Sequence, residues 1–327
     1  MNLRLGLYQL AQQHRLDAQR IDTLERCAGL RQQPPGVERA WVRSVAVLAA
    51  ALIGVGLVFW IAANWQALGR FGRFALLEGV VVLACMAALL RPAARVPLGL
   101  MGLLAIGGLF AYFGQTYQTG ADPWQLFALW ALLALPLCLA VRSDVLWAPW
   151  ALVAVTAVAL WVYAHTAHRW RVEPQDLQVH LMGWSLALGI VLALGPALQR
   201  HSGAGVWARR TAVTLMVVMV CATALGGLFH REVAAQYWLG LALLAAAALA
   251  LSLPRGFEIF GLSAAALGLN VLLVGGLVRW LFDDHDRGEP IGELLLTGLV
   301  ASGLLAATVH LVLRLAKQQS RSEGSLA

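Results

Sequence analysis

Val45 to Trp60 reads VAVLAAALIGVGLVFW, sixteen consecutive residues with no charge and no amide. A helix that crosses a bilayer needs about 20 largely apolar residues. Ser44 before the run and Ile61, Ala62 and Ala63 after it supply that length. Strands of a membrane barrel alternate apolar with polar residues. This run does not alternate, and neither does Leu239 to Leu251, LGLALLAAAALAL. Only helices and closed barrels satisfy their backbone inside lipid, so the run reads as a membrane helix. Nine more follow. The ten expected spans lie near 43–63, 73–91, 96–114, 123–141, 144–164, 178–198, 208–229, 234–253, 257–281 and 291–314.

The whole chain agrees with this reading. Of its 327 residues 60% are hydrophobic and 13% charged, and the mean hydropathy is +0.72. Soluble domains are nearer half apolar and a quarter charged. A soluble enzyme, a disordered chain and a nucleic-acid binder are therefore excluded. The expected fold is all-α: a polytopic membrane helix bundle of about ten transmembrane helices with a short N-terminal cytoplasmic helical hairpin. Residues 1–40 form the hairpin, 41–315 the bundle and 316–327 a disordered tail rich in Gln, Ser and Gly. The single lysine, Lys317, follows no glycine-rich loop, so no Walker-type phosphate loop exists. No cleavable signal peptide is expected, because an arginine-rich stretch precedes a first run long enough to stay as an anchor.

Numbering the loops alternately puts 17 of the 24 basic side chains on the side of the N-terminal tail and 7 on the other. The positive-inside rule then places both termini in the cytoplasm. Localisation in a bacterial inner membrane, crossed many times, follows as the expectation. The opposite loops hold Asp122, Glu173, Asp176, Glu232, Asp283, Asp284, Asp286 and Glu289. Three of the four cysteines, Cys85, Cys138 and Cys221, lie in apolar runs and Cys27 in the tail, so no structural disulfide is expected.

The N-terminal hairpin reads as two amphipathic helices, 3–13 and 17–30, with Leu3, Leu7 and Leu10 on one face and Ile21, Leu24 and Ala28 on another. Asp17 is the expected cap of the second. Its arginines suit anionic headgroups, and a membrane-protein partner is the alternative occupant of its apolar faces. Membrane lipids are the general partner; no nucleic acid and no cofactor are expected.

Polar chemistry enters the membrane in few places. Between the third and fourth spans Gly114-Gln115-Thr116-Tyr117-Gln118-Thr119-Gly120-Ala121-Asp122-Pro123-Trp124 reads as a loop with tight turns at the glycines. Asp122 should cap a helix that begins at Pro123. Gln115, Tyr117, Gln118, Asp122 and Trp124 are candidates to line an outward-facing polar cavity; a capped loop with one belt tryptophan is the plainer reading. Asn64 and Gln66 end the first span at the same depth. Glu78 is the only acid well inside a span, and such a residue is a functional candidate by default; it also lies within reach of Arg70 and Arg73. Glu258 and His310 read as snorkelling near cytoplasmic ends, and Asn270 as bonding a neighbouring helix.

Catalytic and metal sites are not expected. His165 and His168, with His180 further on, and Asp283, Asp284, His285 and Asp286 match no metal-ligand spacing and read as solvated loops. No nucleophile, zinc or paired-carboxylate motif occurs. Small residues concentrate at Gly102, Gly107, Gly108 and Ala111, at Ala245 to Ala248, and at Gly261, Ala264, Ala265 and Gly268, which allow close helix packing. Pro136 and Pro149 should kink the fourth and fifth spans.

The GQTYQTGADPWQLF segment at 114–127, with FWIAANW at 59–65, resembles a family of bacterial polytopic membrane proteins known only as predicted membrane proteins with a domain of unknown function. The resemblance covers residues 1 to about 145. It implies a short helical hairpin followed by a run of membrane helices, and no activity.

Three functions remain open from sequence. The first is a secondary transporter or channel for a small polar or amphiphilic solute. The second is a non-catalytic scaffold or assembly factor for envelope proteins. The third is a membrane enzyme acting on a lipid-linked substrate through Asp122, Glu78 or an outer histidine.

Overall fold

The computed structural model describes residues 12–14, 16, 17, 19–21, 23, 37–63, 69–117, 122–166, 171–253, 257–282 and 291–324. Among them there is no strand, and eleven α-helices follow one another. They are α1 (Val37–Ala63), α2 (Arg70–Leu90), α3 (Arg95–Tyr117), α4 (Pro123–Val141), α5 (Asp144–His165), α6 (Leu177–Ala193), α7 (Pro196–Ser202), α8 (Val206–Leu228), α9 (Ala235–Ser252), α10 (Ile259–Phe282) and α11 (Ile291–Gly324). Short 3₁₀ turns, Pro92–Ala94 and Pro174–Asp176, precede α3 and α6. Nine spans among the described residues are long and apolar enough to cross a membrane. The first expected span is helical throughout Val37–Ala63, with Ser44–Gly56 as its apolar stretch.

The helices stack along a spine. Helices α3, α5, α8 and α10 run through the middle; α1 and α2 lie on α3, α4 on α3 and α5, α6 on α5 and α8, α9 on α8 and α10, and α11 on α10. One cluster buries Leu103, Ala134, Cys138, Leu146, Trp147 and Ala208; a second buries Trp184, Val220, Ala224, Tyr237 and Leu272. Small residues make the close crossings. A Cβ on Gly107 of α3 would overlap the Trp130 ring of α4, and one on Gly240 of α9 would lie 2.7 Å from Ala224 of α8. The buried indoles also tie helices together: Trp130 Nε1 donates to the Leu103 carbonyl at 2.8 Å, and Trp150 Nε1 to that of Ala131 at 2.8 Å. Cys85, Cys138 and Cys221 are free thiols.

Several boundaries differ from expectation. The third helix continues through Gly114 to Tyr117. Gly114 therefore makes no turn; it leaves room for Leu126, whose Cδ1 would stand 2.8 Å from a Cβ there. The sixth helix ends at Ala193, because Gly195 and Pro196 interrupt it before the short α7. The last helix runs on to Gly324, past the point where a disordered tail is expected at 316–327. No proline or glycine breaks the chain between Arg314 and Glu323, so helical bonding continues through these residues. Helices α4 and α5 run through Pro136 and Pro149. Most of the N-terminal hairpin lies outside the described residues; within it the Asp17 carbonyl accepts the amides of Arg20 and Ile21, a helix start where the cap was expected.

Contacts between distant loops fall into two groups. Arg142 and Asp144 meet the 201–208 segment, and Arg209 meets Glu258, at one end. Trp124 meets His165, Glu173 meets His230, and Arg279 meets the His230 carbonyl, at the other. Each group joins loops that alternate numbering assigns to one side. The first is termed the basic end below, the second the acidic end.

Candidate functional site

The basic end engages most of its polar side chains in contacts between loops and helices. The Asp144 carboxylate accepts the amides of Gly205 at 3.0 Å, Trp207 at 2.8 Å and Ala208 at 2.9 Å, and so caps the start of α8. Arg142 sits in the left-handed region at φ 53° against Gly203 at φ 68°. From there its guanidinium donates to the His201 carbonyl at 2.9 and 3.2 Å. Trp147 Nε1 donates to the Ser202 carbonyl at 2.8 Å. Glu258 accepts the Gly261 amide at 2.8 Å and pairs with Arg209 at 3.3 Å. It is therefore a helix cap as well as a surface acid, a role its simple snorkelling assignment left out.

The acidic end does not close its ledger of polar atoms. Glu173 meets His230 at 3.1 Å, and its carbonyl accepts Gln236 Nε2 at 2.8 Å. Gln236 is fully buried, yet its Oε1 has no partner among the described residues. One turn apart at the start of α6, Asp176 is 8% exposed and His180 4%. Asp176 Oδ2 and His180 Nδ1 are both buried without a hydrogen bond. An unmet buried polar group costs about 1–3 kcal/mol, and two so close together mark a place that water or a ligand completes.

His180 lines a cavity of about 490 Å³ between α5, α6 and α8. The walls are mostly apolar: Val155, Leu160, Val162, Leu215, Val218 and Met219. The polar groups gather toward the acidic end, as Tyr163, Thr166, Arg171, His180 and Thr223. Val218, Ala159 and Ala222 are exposed, so the cavity opens sideways where lipid would lie. Arg171 is exposed at the mouth and forms no ion pair with a described carboxylate. The volume falls in the range of small-molecule sites, and a few convergent polar groups in an apolar pocket are their usual design.

The sequence candidates stand elsewhere. Glu78 is exposed on α2; its neighbour Leu77 is the residue buried there, with Tyr112. Arg73, on the same helix, lies 6.0 Å from the Tyr112 ring. Asp122 is at the N-cap position of α4, exposed and extended, but its side chain accepts no cap hydrogen bond. That corrects the expected capping role: only its carbonyl is engaged, by the Gln125 amide at 3.0 Å. Trp124 is half-buried, its ring 5.9 Å from that of His165 near the cavity mouth. Gln115 and Tyr117 fall in the last turn of α3. Asn64, Gln66 and Gln118 lie outside the described residues, as do His168 and 283–290. Asn270 bonds a neighbouring helix as expected: its Nδ2 donates to Thr308 of α11 at 2.9 Å. Among the described residues no group of three metal-ligating side chains occurs.

Sequence reasoning grouped His180 with the loop histidines. The signal against that was present: the sixth run begins near 178, so His180 is inside it, and Asp176 and His180 are spaced to share one helix face.

Residues 8–147 match a family model described as a predicted membrane protein (DUF2157), a domain of unknown function. No curated protein and no solved structure matches the chain. The matched segment takes in α1 to α4; every residue lining the cavity lies beyond it.

Proposed function

We propose that this multi-pass membrane protein binds a small amphiphile in the cavity between α5, α6 and α8. The head is anionic or rich in hydrogen-bond acceptors and meets Arg171 and His180; the tail lies along Val155, Leu160 and Val218. One observation carries the reading: a nine-tenths buried histidine with an unmet ring nitrogen faces a cavity whose walls are mostly apolar. The arginine bias supports a basic end that faces the cytoplasm across a bacterial inner membrane, with the cavity opening toward the outer leaflet. Transport of that amphiphile is the finer form of this proposal.

The test is equilibrium binding of a fluorescent dodecanoate to the full chain in lipid nanodiscs. Saturable binding that falls about tenfold or more in His180→Leu and in Arg171→Gln supports the reading. Absent binding, or binding unchanged in both variants, overturns it. Proteoliposome uptake of the same probe then separates a carrier from a receptor.

The scaffold alternative draws on one feature. Among the described residues helix α11 packs chiefly on α10 and leaves Leu295, Leu299, Leu305 and Val309 exposed, surface that another membrane helix could cover.

A further inference from the structure

A second groove lies between α2, α3 and α4, at the basic end and apart from the cavity above. Its volume is about 560 Å³, with walls that include Val81, Cys85, Leu109, Phe110, Leu133 and Leu137. Among the described residues the only charged one lining it is Arg95, at its basic end. Arg95 Nε reaches the Ala88 carbonyl at only 3.4 Å, and the residue pairs with no described carboxylate. Arg91 stands exposed one turn away, across the Pro92–Ala94 turn. Two described acids of this end are committed, Asp144 to three backbone amides and Glu258 to Arg209 and a cap.

We infer that this groove holds one acyl chain of an anionic glycerophospholipid from the leaflet at the basic end, with its phosphate on Arg95 and Arg91. Two features select this occupant. A wall without polar side chains suits hydrocarbon and gives a soluble anion no hold. Two basic side chains that pair with no described carboxylate leave a positive charge that a zwitterionic head offsets less completely than an anionic one. Basic pockets between membrane helices on the cytoplasmic side recognise such heads. The depth fits, since the spans Phe71–Leu90 and Pro92–Gly114 both terminate at this turn.

The experiment is native mass spectrometry of the full chain released from nanodiscs of phosphatidylglycerol and phosphatidylethanolamine in equal parts. The expected result is one retained phosphatidylglycerol per chain, with retention about fivefold lower in Arg95→Gln, the effect of one interfacial basic side chain. Ala140→Trp, from an exposed position on the groove wall, should expel the lipid by filling its space. Arg200→Gln, also exposed and basic but outside the groove, should leave retention unchanged. Equal retention of phosphatidylethanolamine, or phosphatidylglycerol kept by both groove variants, overturns the inference. His180→Leu should not alter phosphatidylglycerol retention, so this result stands or falls separately from amphiphile binding at the other end.

Discussion

Asp144 and Asp176 are the same residue type at the start of apolar helices, at opposite ends of one bundle. The first accepts three amides from a neighbouring helix; the second is buried with one oxygen unmet. The contrast extends around each. At the basic end the unmet buried nitrogens are the Nε atoms of Arg209 and Arg210, whose guanidinium groups are otherwise engaged by Glu258 and by the Trp207 and Phe260 rings. At the acidic end the unmet atoms include Trp124 Nε1 and atoms of Asp176, His180, His230 and Gln236, and of these residues His180 lines the cavity. Equal polarity thus has two meanings. Where every polar atom has a partner, the group joins helices. Where several lack one, the fold carries a destabilising arrangement that binding can relieve.

Asp144→Ala tests this contrast with the largest expected effect. It strips two half-buried amides and one exposed amide of their acceptor, at about 1–3 kcal/mol for each buried group left unmet, so a loss of about 2 kcal/mol or more is expected. Thermal unfolding in mild detergent measures it. Asp176→Ala removes an oxygen that has no partner and should change stability by less than about 1 kcal/mol, in either direction. Equal losses in the two variants would mean that Asp176 is as fully engaged as Asp144.

Between the ends, packing rather than polar contact holds the helices. Gly107→Ala puts a methyl group into the Trp130 ring. Trp130 is fixed by its bond to Leu103, so the ring cannot simply swing away, and the cost should be about 1–3 kcal/mol. Gly298→Ala in α11 meets nothing within 4 Å and should be neutral or slightly stabilising. Parallel melting curves of the two variants distinguish a tight spine from a loosely held rim.

Much of the fold was legible because hydrophobic runs report directly on membrane helices. Pro123 marked the start of α4 to the residue, and Asn270 was correctly assigned to helix contact. Continuations that only the absence of a breaker permits were less legible, as through Gly114 in α3 and past Arg314 in α11. The site was hardly legible at all. Glu78 drew attention because it is a lone acid, but burial depends on helix rotation, which a continuously apolar run does not encode. His180 matters because three helices converge on it and leave its Nδ1 unmet, and such convergence is not a property of local sequence.

Asn270 and Thr308 give a smaller effect at the rim. Their mutual bonds, 2.9 and 3.3 Å, join α10 to α11. Such pairs between membrane helices contribute about 0.6 kcal/mol on average. A double-mutant cycle of Asn270→Ala and Thr308→Ala should return a coupling of that size. A coupling near zero would mean that α11 is held by apolar contact alone.

The smallest expected effect concerns Asp122. It occupies a helix N-cap position, where a capping side chain is worth about 1 kcal/mol. Its carboxylate makes no such bond, so Asp122→Ala should forfeit only the favourable interaction of an exposed charge with the helix dipole, a few tenths of a kcal/mol and smaller at high salt. A salt-independent loss near 1 kcal/mol would show that the carboxylate caps α4 after all. That outcome would move Asp122 to the same class as Asp144, and the acidic end would then hold its own satisfied cap beside the unmet pair at Asp176 and His180. The expected outcome instead leaves Asp122 exposed and structurally spare at the acidic end, free to act on whatever approaches from that side.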